Sequence, residues 1–136
     1  MKYMLIMNTP KDGYTQYMNW PRKVLEANMA FMRTFTRKLG EAGELVDTVG
    51  LASPQQAKLV RAGKDGKPVT DGVFPESKEF LAGYWIIDVE SPERALAIAA
   101  EAAAAPGVPV KAADGSTIDH LWIEVREVMN SVQDMK

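Results

Sequence analysis

The chain has 136 residues, no cysteine and a formal net charge of −2. That length suits one domain with a real core, and the charge gives no basic surface for a nucleic-acid partner. Without cysteine there are no disulfides, no thiolate chemistry and no Cys-based metal site, which suits a reducing compartment.

Lys2 to Asn8 reads as a first strand, with Met4 and Ile6 on one side and Tyr3, Leu5 and Met7 on the other. It is apolar on both faces, so it belongs in the middle of a sheet. The apolar start stops at Asn8-Thr9-Pro10, too soon for a secretion signal, and no run approaches ~18 apolar residues. The expectation is a cytoplasmic, soluble protein with no membrane partner. Thr9 to Asn19 reads as a loop with room for a short helical turn.

Pro21 to Ala42 reads as the first long helix. Val24, Asn28, Phe31, Phe35, Leu39 and Ala42 recur at three- and four-residue steps, widened by Leu25 and Met32. Gly43 supplies the stop. Glu44 to Leu51 follows as a second strand, Leu45 and Val49 alternating against Val46 and Thr48. Ala57 to Ala62 and Lys67 to Thr70 flank Gly63-Lys64-Asp65-Gly66, a hairpin pattern whose Pro68 confines it to an edge. Asp71-Gly72 is a turn dipeptide, and Pro75 holds Phe74 extended.

Phe80 to Val89 is the most apolar strand. One face carries Leu81, Gly83, Trp85, Ile87 and Val89; the other carries Phe80, Ala82, Tyr84 and Ile86 before Asp88. Ser91 is a good N-cap for the next helix, with Pro92 at its first position and a stripe of Ala95, Ile98, Ala99 and Ala102. Pro106-Gly107 ends it. Gly107 to Thr117 reads as a loop, and Ile118 to Val128 as a last strand with Leu121, Ile123 and Val125 opposite Ile118, His120, Trp122, Glu124 and Arg126. Residues 1–128 therefore form one domain, followed by a polar tail over 129–136.

The order strand, helix, strand, hairpin, strand, helix, strand is that of an α+β ferredoxin-like β-α-β-β-α-β sandwich with an extra hairpin. Two helices can cover only one face of a four-stranded sheet. The other face would present Tyr84, Ile86, Trp122 and one side of the first strand. An apolar patch of that size predicts a homodimer, two sheets pairing face to face about a two-fold axis.

Thr70-Asp71-Gly72-Val73-Phe74-Pro75-Glu76-Ser77-Lys78-Glu79, followed by Leu81-Ala82-Gly83-Tyr84-Trp85, resembles the signature of the DGPF branch of the YCII-related proteins. Ala42-Gly43-Glu44-Leu45-Val46 and Ile123-Glu124-Val125-Arg126 resemble other recurring segments of that family, so the likeness covers nearly the whole domain. The resemblance implies a ferredoxin-like subunit that dimerises as an α+β barrel; it implies no settled activity. Relatives in the wider class include isomerases and dehalogenases of ring-derived acids, and some family members carry a His–Asp pair at a pocket. Here no His lies in Pro21 to Ala42 and no Asp in Ala105-Pro106-Gly107, so that pair does not carry over.

Two residues are candidates for proton chemistry. Asp71 could act as acid or base at a pocket mouth, although an Asp before Gly is also what turns select. His120 is the sole histidine; Glu124 on the same strand face could tune it, or it could be an ordinary strand-end residue. Arg61, Glu76, Lys78, Tyr84 and Arg126 are candidates for holding a polar ligand, against a plainer role in surface ion pairs and packing. A single His excludes a multi-His metal site, and no phosphate loop, G-x-S-x-G or H-E-x-x-H motif occurs, so no metal and no cofactor is expected. Two functions stay open: a homodimeric small-molecule binding or regulatory module, and an acid–base enzyme acting on a small organic acid or ring-derived substrate.

Overall fold

The structure is a computed structural model, and it describes residues 1–72 and 79–129. The elements in chain order are β1 (Lys2–Thr9), α1 (Gly13–Met18), α2 (Arg22–Glu41), β2 (Leu45–Gly50), a 3-10 turn (Pro54–Gln56), β3 (Lys58–Ala62), β4 (Pro68–Gly72), β5 (Phe80–Asp88), α3 (Pro92–Ala103), β6 (Val110–Lys111), β7 (Thr117–Ile118) and β8 (Ile123–Glu127). The main sheet runs β2-β5-β1-β8 and its pairings are all antiparallel. That order, with α2 and α3 as the two crossovers, is the ferredoxin-like α+β fold. Among the described residues, β3 pairs only with β4, and β6 only with β7, as two small separate ribbons.

The core lies on one face of the sheet. Tyr3, Leu5, Trp85, Ile87 and Val89 are buried there against Phe35 and Leu39 of α2 and Ala95, Ile98, Ala99 and Ala102 of α3. Three of these four α3 residues are alanines, whose single methyls suit close approach of the helix to the sheet on either side of Ile98. Trp85 meets the Phe35 ring edge-on at 5.2 Å, and its indole N–H donates to Thr36 Oγ1 at 3.2 Å. The opposite face carries Met4, Ile6, Tyr84 and Ile86, all half-buried, and none of the described buried core residues lies on it. The predicted assignment of β1 and β5 side chains to two faces therefore matches the register, in which Leu5 faces Trp85 and Met4 faces Ile86.

Four local expectations are corrected. Asp71 and Gly72 do not form a turn; they finish β4, with Asp71 opposite Leu59 and Gly72 opposite Lys58. β2 does not alternate regularly. A bulge between Leu45 and Asp47 puts Leu45 opposite Ile87 on the core side and Val49 opposite Tyr84 on the open side, because one extra residue reverses the two-residue period. The last strand starts at Ile123 and not at Ile118; Ile118 pairs with Val110 inside the segment read as a plain loop. Trp122 therefore precedes the sheet and does not lie on its open face. The turn signature at Val73 to Lys78, and the tail from Asn130 onward, lie outside the described residues.

Glu44 and Arg94 tie the start of β2 to the first turn of α3. Arg94 Nε donates to Glu44 Oε2 at 2.9 Å and Nη2 to Oε1 at 2.7 Å, while Ser91 Oγ caps the helix by accepting from Arg94 N at 3.1 Å. The guanidinium holds the Glu44 carboxyl below its ordinary value of 4.5, against a smaller opposing effect of burial. A carboxyl depressed by folding stabilises the protein above its unfolded value, and that contribution is lost as pH falls through the folded value. Glu44→Gln is expected to cost about 1 kcal/mol at neutral pH, since Arg94 stays 41% exposed and solvent screens the pair. Urea titrations should show the gap to the wild type closing below pH 4.5.

Candidate functional site

Where β1 and β2 end and β5 and β8 begin, the sheet edge opens into a cavity of 1030 Å³. Its floor is the end of β1, Met7 to Thr9. One wall is α1, Trp20 and the Asn28 and Met32 positions of α2. The facing wall is the C-terminal turn of α3, the loop to Val110, and residues 118–122. Met, Leu, Ala, Pro and Val side chains supply most of the surface, with a few polar groups among them. That composition is typical of small-molecule sites, and the volume is at the upper end of their usual range.

The walls are pinned by side-chain amides. Asn28 is buried on α2, where its Oδ1 accepts from Tyr17 OH at 2.9 Å and its Nδ2 donates to the Pro106 carbonyl at 2.8 Å. This one residue joins α1, α2 and the loop after α3. Gln16 does the same for the β6–β7 ribbon: its Nε2 donates to Lys111 O at 2.9 Å and its Oε1 accepts from Lys111 N at 2.8 Å, in the manner of a neighbouring strand. Tyr17 also meets the Trp20 ring edge-on at 5.0 Å. Trp20 packs over Gly107 so closely that a Cβ there would come within 2.7 Å of its Cη2. Burial, and after it the neighbouring Tyr14, push the Tyr17 phenol above its ordinary value of 10.0. The Trp20 indole N–H is buried in the wall with no hydrogen-bond partner among the described residues.

Asn28→Ala is expected to cost about 1–3 kcal/mol, because the half-buried Tyr17 hydroxyl and Pro106 carbonyl both lose their partner. The checks are chemical denaturation and the near-UV dichroism of Tyr17 and Trp20. A variant as stable as the wild type, with unchanged aromatic signals, would mean that the bridge does not hold the wall.

The sequence candidates are dispersed. His120 lines the cavity at its rim, with Nε2 3.5 Å from Asp119 Oδ1 and its side chain 75% exposed. Asp71 does not line it. Asp71 sits exposed on β4 beside a separate groove of 550 Å³ formed with Gln55, Gln56, Lys58 and Thr70. The two residues considered together for proton transfer thus belong to different hollows. Tyr84 lies on the open sheet face with its hydroxyl 3.4 Å from Asp47 Oδ2. Arg126 is on the same face, 3.8 Å from Glu124. Arg61 is exposed on the β3–β4 ribbon, and Glu76 and Lys78 lie outside the described residues. Among the described residues, no group of three or more His, Cys, Asp or Glu could hold a metal ion, and no helix is long and apolar enough to cross a membrane.

Three residues of the wall went unrecognised as such in the sequence. Asn28 was read as one position of an apolar stripe, yet a lone amide in a core stripe is itself a signal that something must satisfy it. Tyr17 falls in, and Trp20 beside, the stretch Thr9 to Asn19 that reads as a loop with room for a short helical turn, and their three-residue spacing sets the two rings on one side of that turn.

A ferredoxin-like α+β domain with a cavity at the sheet end is the class of protein these features define. The sequence model of the YCII-related domain matches residues 1–111, and the chain belongs to that family. An uncharacterized protein of Rhizobium meliloti (strain 1021) is 34% identical over 77 residues. That match covers 57% of this chain and 62% of the relative, so it spans less than two thirds of that protein's length. The α2 helix and the loop after α3 are joined here by Asn28 and the Pro106 carbonyl.

Proposed function

We propose that this protein is a small-molecule binding or regulatory module that works as a homodimer, in the DGPF branch of its family. The single observation that carries the binding role is the 1030 Å³ cavity, whose walls are apolar and braced by buried or backbone-directed amides. A braced wall with few polar groups is suited to holding a ligand in place. Asp71 and His120, the pair first weighed for proton transfer, lie in different hollows, which weighs against that form of the acid–base enzyme; the alternative would rest on His120 with Asp119, both of which line the cavity. The branch assignment rests on Thr70 to Glu79 in the sequence.

The binding role is tested by thermal-shift screening of a small-molecule library, since a ligand that binds only the folded state raises Tm. Hits should lose their effect in Ala103→Phe, which places a ring in the cavity wall. A library with no hits, or hits indifferent to that change, would remove the reading.

The homodimer is supported by the open sheet face. Its centre is Met4, Ile6, Tyr84 and Ile86, and its margins carry Asp47, Glu124 and Arg126. An apolar centre within a charged rim is the anatomy of a subunit interface. Ile86→Glu, two-fold repeated in a face-to-face pair, should convert a dimer to a monomer at micromolar concentration in sedimentation velocity. A wild-type chain that already sediments as a monomer there would refute the pairing.

A further inference from the structure

We propose that the cavity selects a protonated alkylamine carrying an aromatic or apolar body over an organic acid, an inference that rests on its being a ligand site. Some relatives in the wider class act on ring-derived acids, so the charge of this lining is what separates an acid from an amine as the ligand here. Among the described lining residues there is no Lys and no Arg. The side chains there that carry a full formal charge are Glu79 and Asp119, both carboxylates, and His120 is the one basic group beside them. Lys111, next to Val110 in the wall, is exposed and does not line the cavity. A bound carboxylate is ordinarily met by a guanidinium or ammonium, and here it would face two charges of its own sign.

The rest of the lining favours a cation in its own right. Tyr14, Tyr17, Trp20 and Trp122 all contribute to it. Trp122 is 79% exposed and Tyr14 48% exposed, so two large rings stand uncovered where a ligand would enter. The face of an aromatic ring is negative at its centre and attracts ammonium groups, most strongly for indole. Rings and carboxylates together therefore favour a protonated amine, while the Met, Ala and Pro surface behind them takes an apolar or aromatic body.

The test uses the purified full chain and three indoles of similar size that differ in charge: tryptamine, tryptophol and indole-3-acetate. Calorimetric titration should rank tryptamine tightest, about fivefold over tryptophol and at least about tenfold over indole-3-acetate. The preference should shrink at high salt, because exposed charges are screened. The double variant Glu79→Gln, Asp119→Asn should lose most of the advantage of tryptamine over tryptophol. If tryptophol binds as tightly as tryptamine, or indole-3-acetate binds tightest, the charge preference is wrong while the cavity remains a ligand site. If none of the three binds or raises Tm, the inference falls together with the reading it rests on.

Discussion

Ile87→Ala is expected to remove about 2–5 kcal/mol of stability and to lower Tm by roughly 6–20 °C. Ile87 is 0% exposed in the strand that holds the sheet together. It stands opposite Tyr3 on β1 and opposite Leu45 on β2, so its side chain lies between two strand pairings, inside the cluster shared with α2 and α3. Truncation loses the transfer free energy of three carbons and leaves a cavity. That cavity can close only if neighbouring strands move, and antiparallel pairing on both sides prevents it. Ile86, its neighbour in sequence, makes the contrast: measured at a dilution where the chain is monomeric, Ile86→Ala on the half-buried open face should cost well under half as much in chemical denaturation. Equal losses at the two positions would contradict the one-sided core.

The division of β1 and β5 into a core face and an open face was legible because each strand runs long enough for the two-residue period to show. The same holds for α3, where Ser91, Pro92 and the alanine stripe act together: the cap forms, Pro92 begins the helix and the four stripe residues are buried. The illegible parts share a physical cause, which is that their conformation is set by distant partners. β2 carries a bulge that no local pattern announces. Ile118 looks like the start of a strand, but its pairing with Val110 is favoured by Gln16, 95 residues from Lys111 in the chain. Asp71-Gly72 has turn chemistry, yet pairing with Leu59 and Lys58 keeps it extended. The site was less legible than the fold for the same reason. Its named candidates were chosen as titratable residues, whereas the cavity is held by Asn28, Tyr17, Gln16 and Gly107, whose roles appear only when α1, α2 and the loop after α3 are brought together.

Gly83→Val should destabilise the protein by about 1–3 kcal/mol or more, although β-propensity alone would favour valine in a central strand. A Cβ at Gly83 would lie 2.7 Å from the Val49 carbonyl oxygen and 3.3 Å from Gly50 Cα, both backbone atoms of β2 that no rotamer change can move. Relief requires β2 to separate from β5 at this point. The first bond to suffer is Leu51 N to Ala82 O, at 2.8 Å. Leu51 and Ala82 both line the cavity, so the effect reaches the site. Gly50→Val is the matched control: Gly50 stands opposite Gly83 in the register, but a Cβ there meets nothing within 4 Å. It should change stability by no more than about 0.5 kcal/mol. Urea denaturation gives the energies, and amide exchange at Leu51 reports the local opening, which should be faster in Gly83→Val and unchanged in Gly50→Val. A Gly83→Val protein with wild-type stability and a protected Leu51 amide would show that β2 is not held where its contact with β5 shapes the cavity wall.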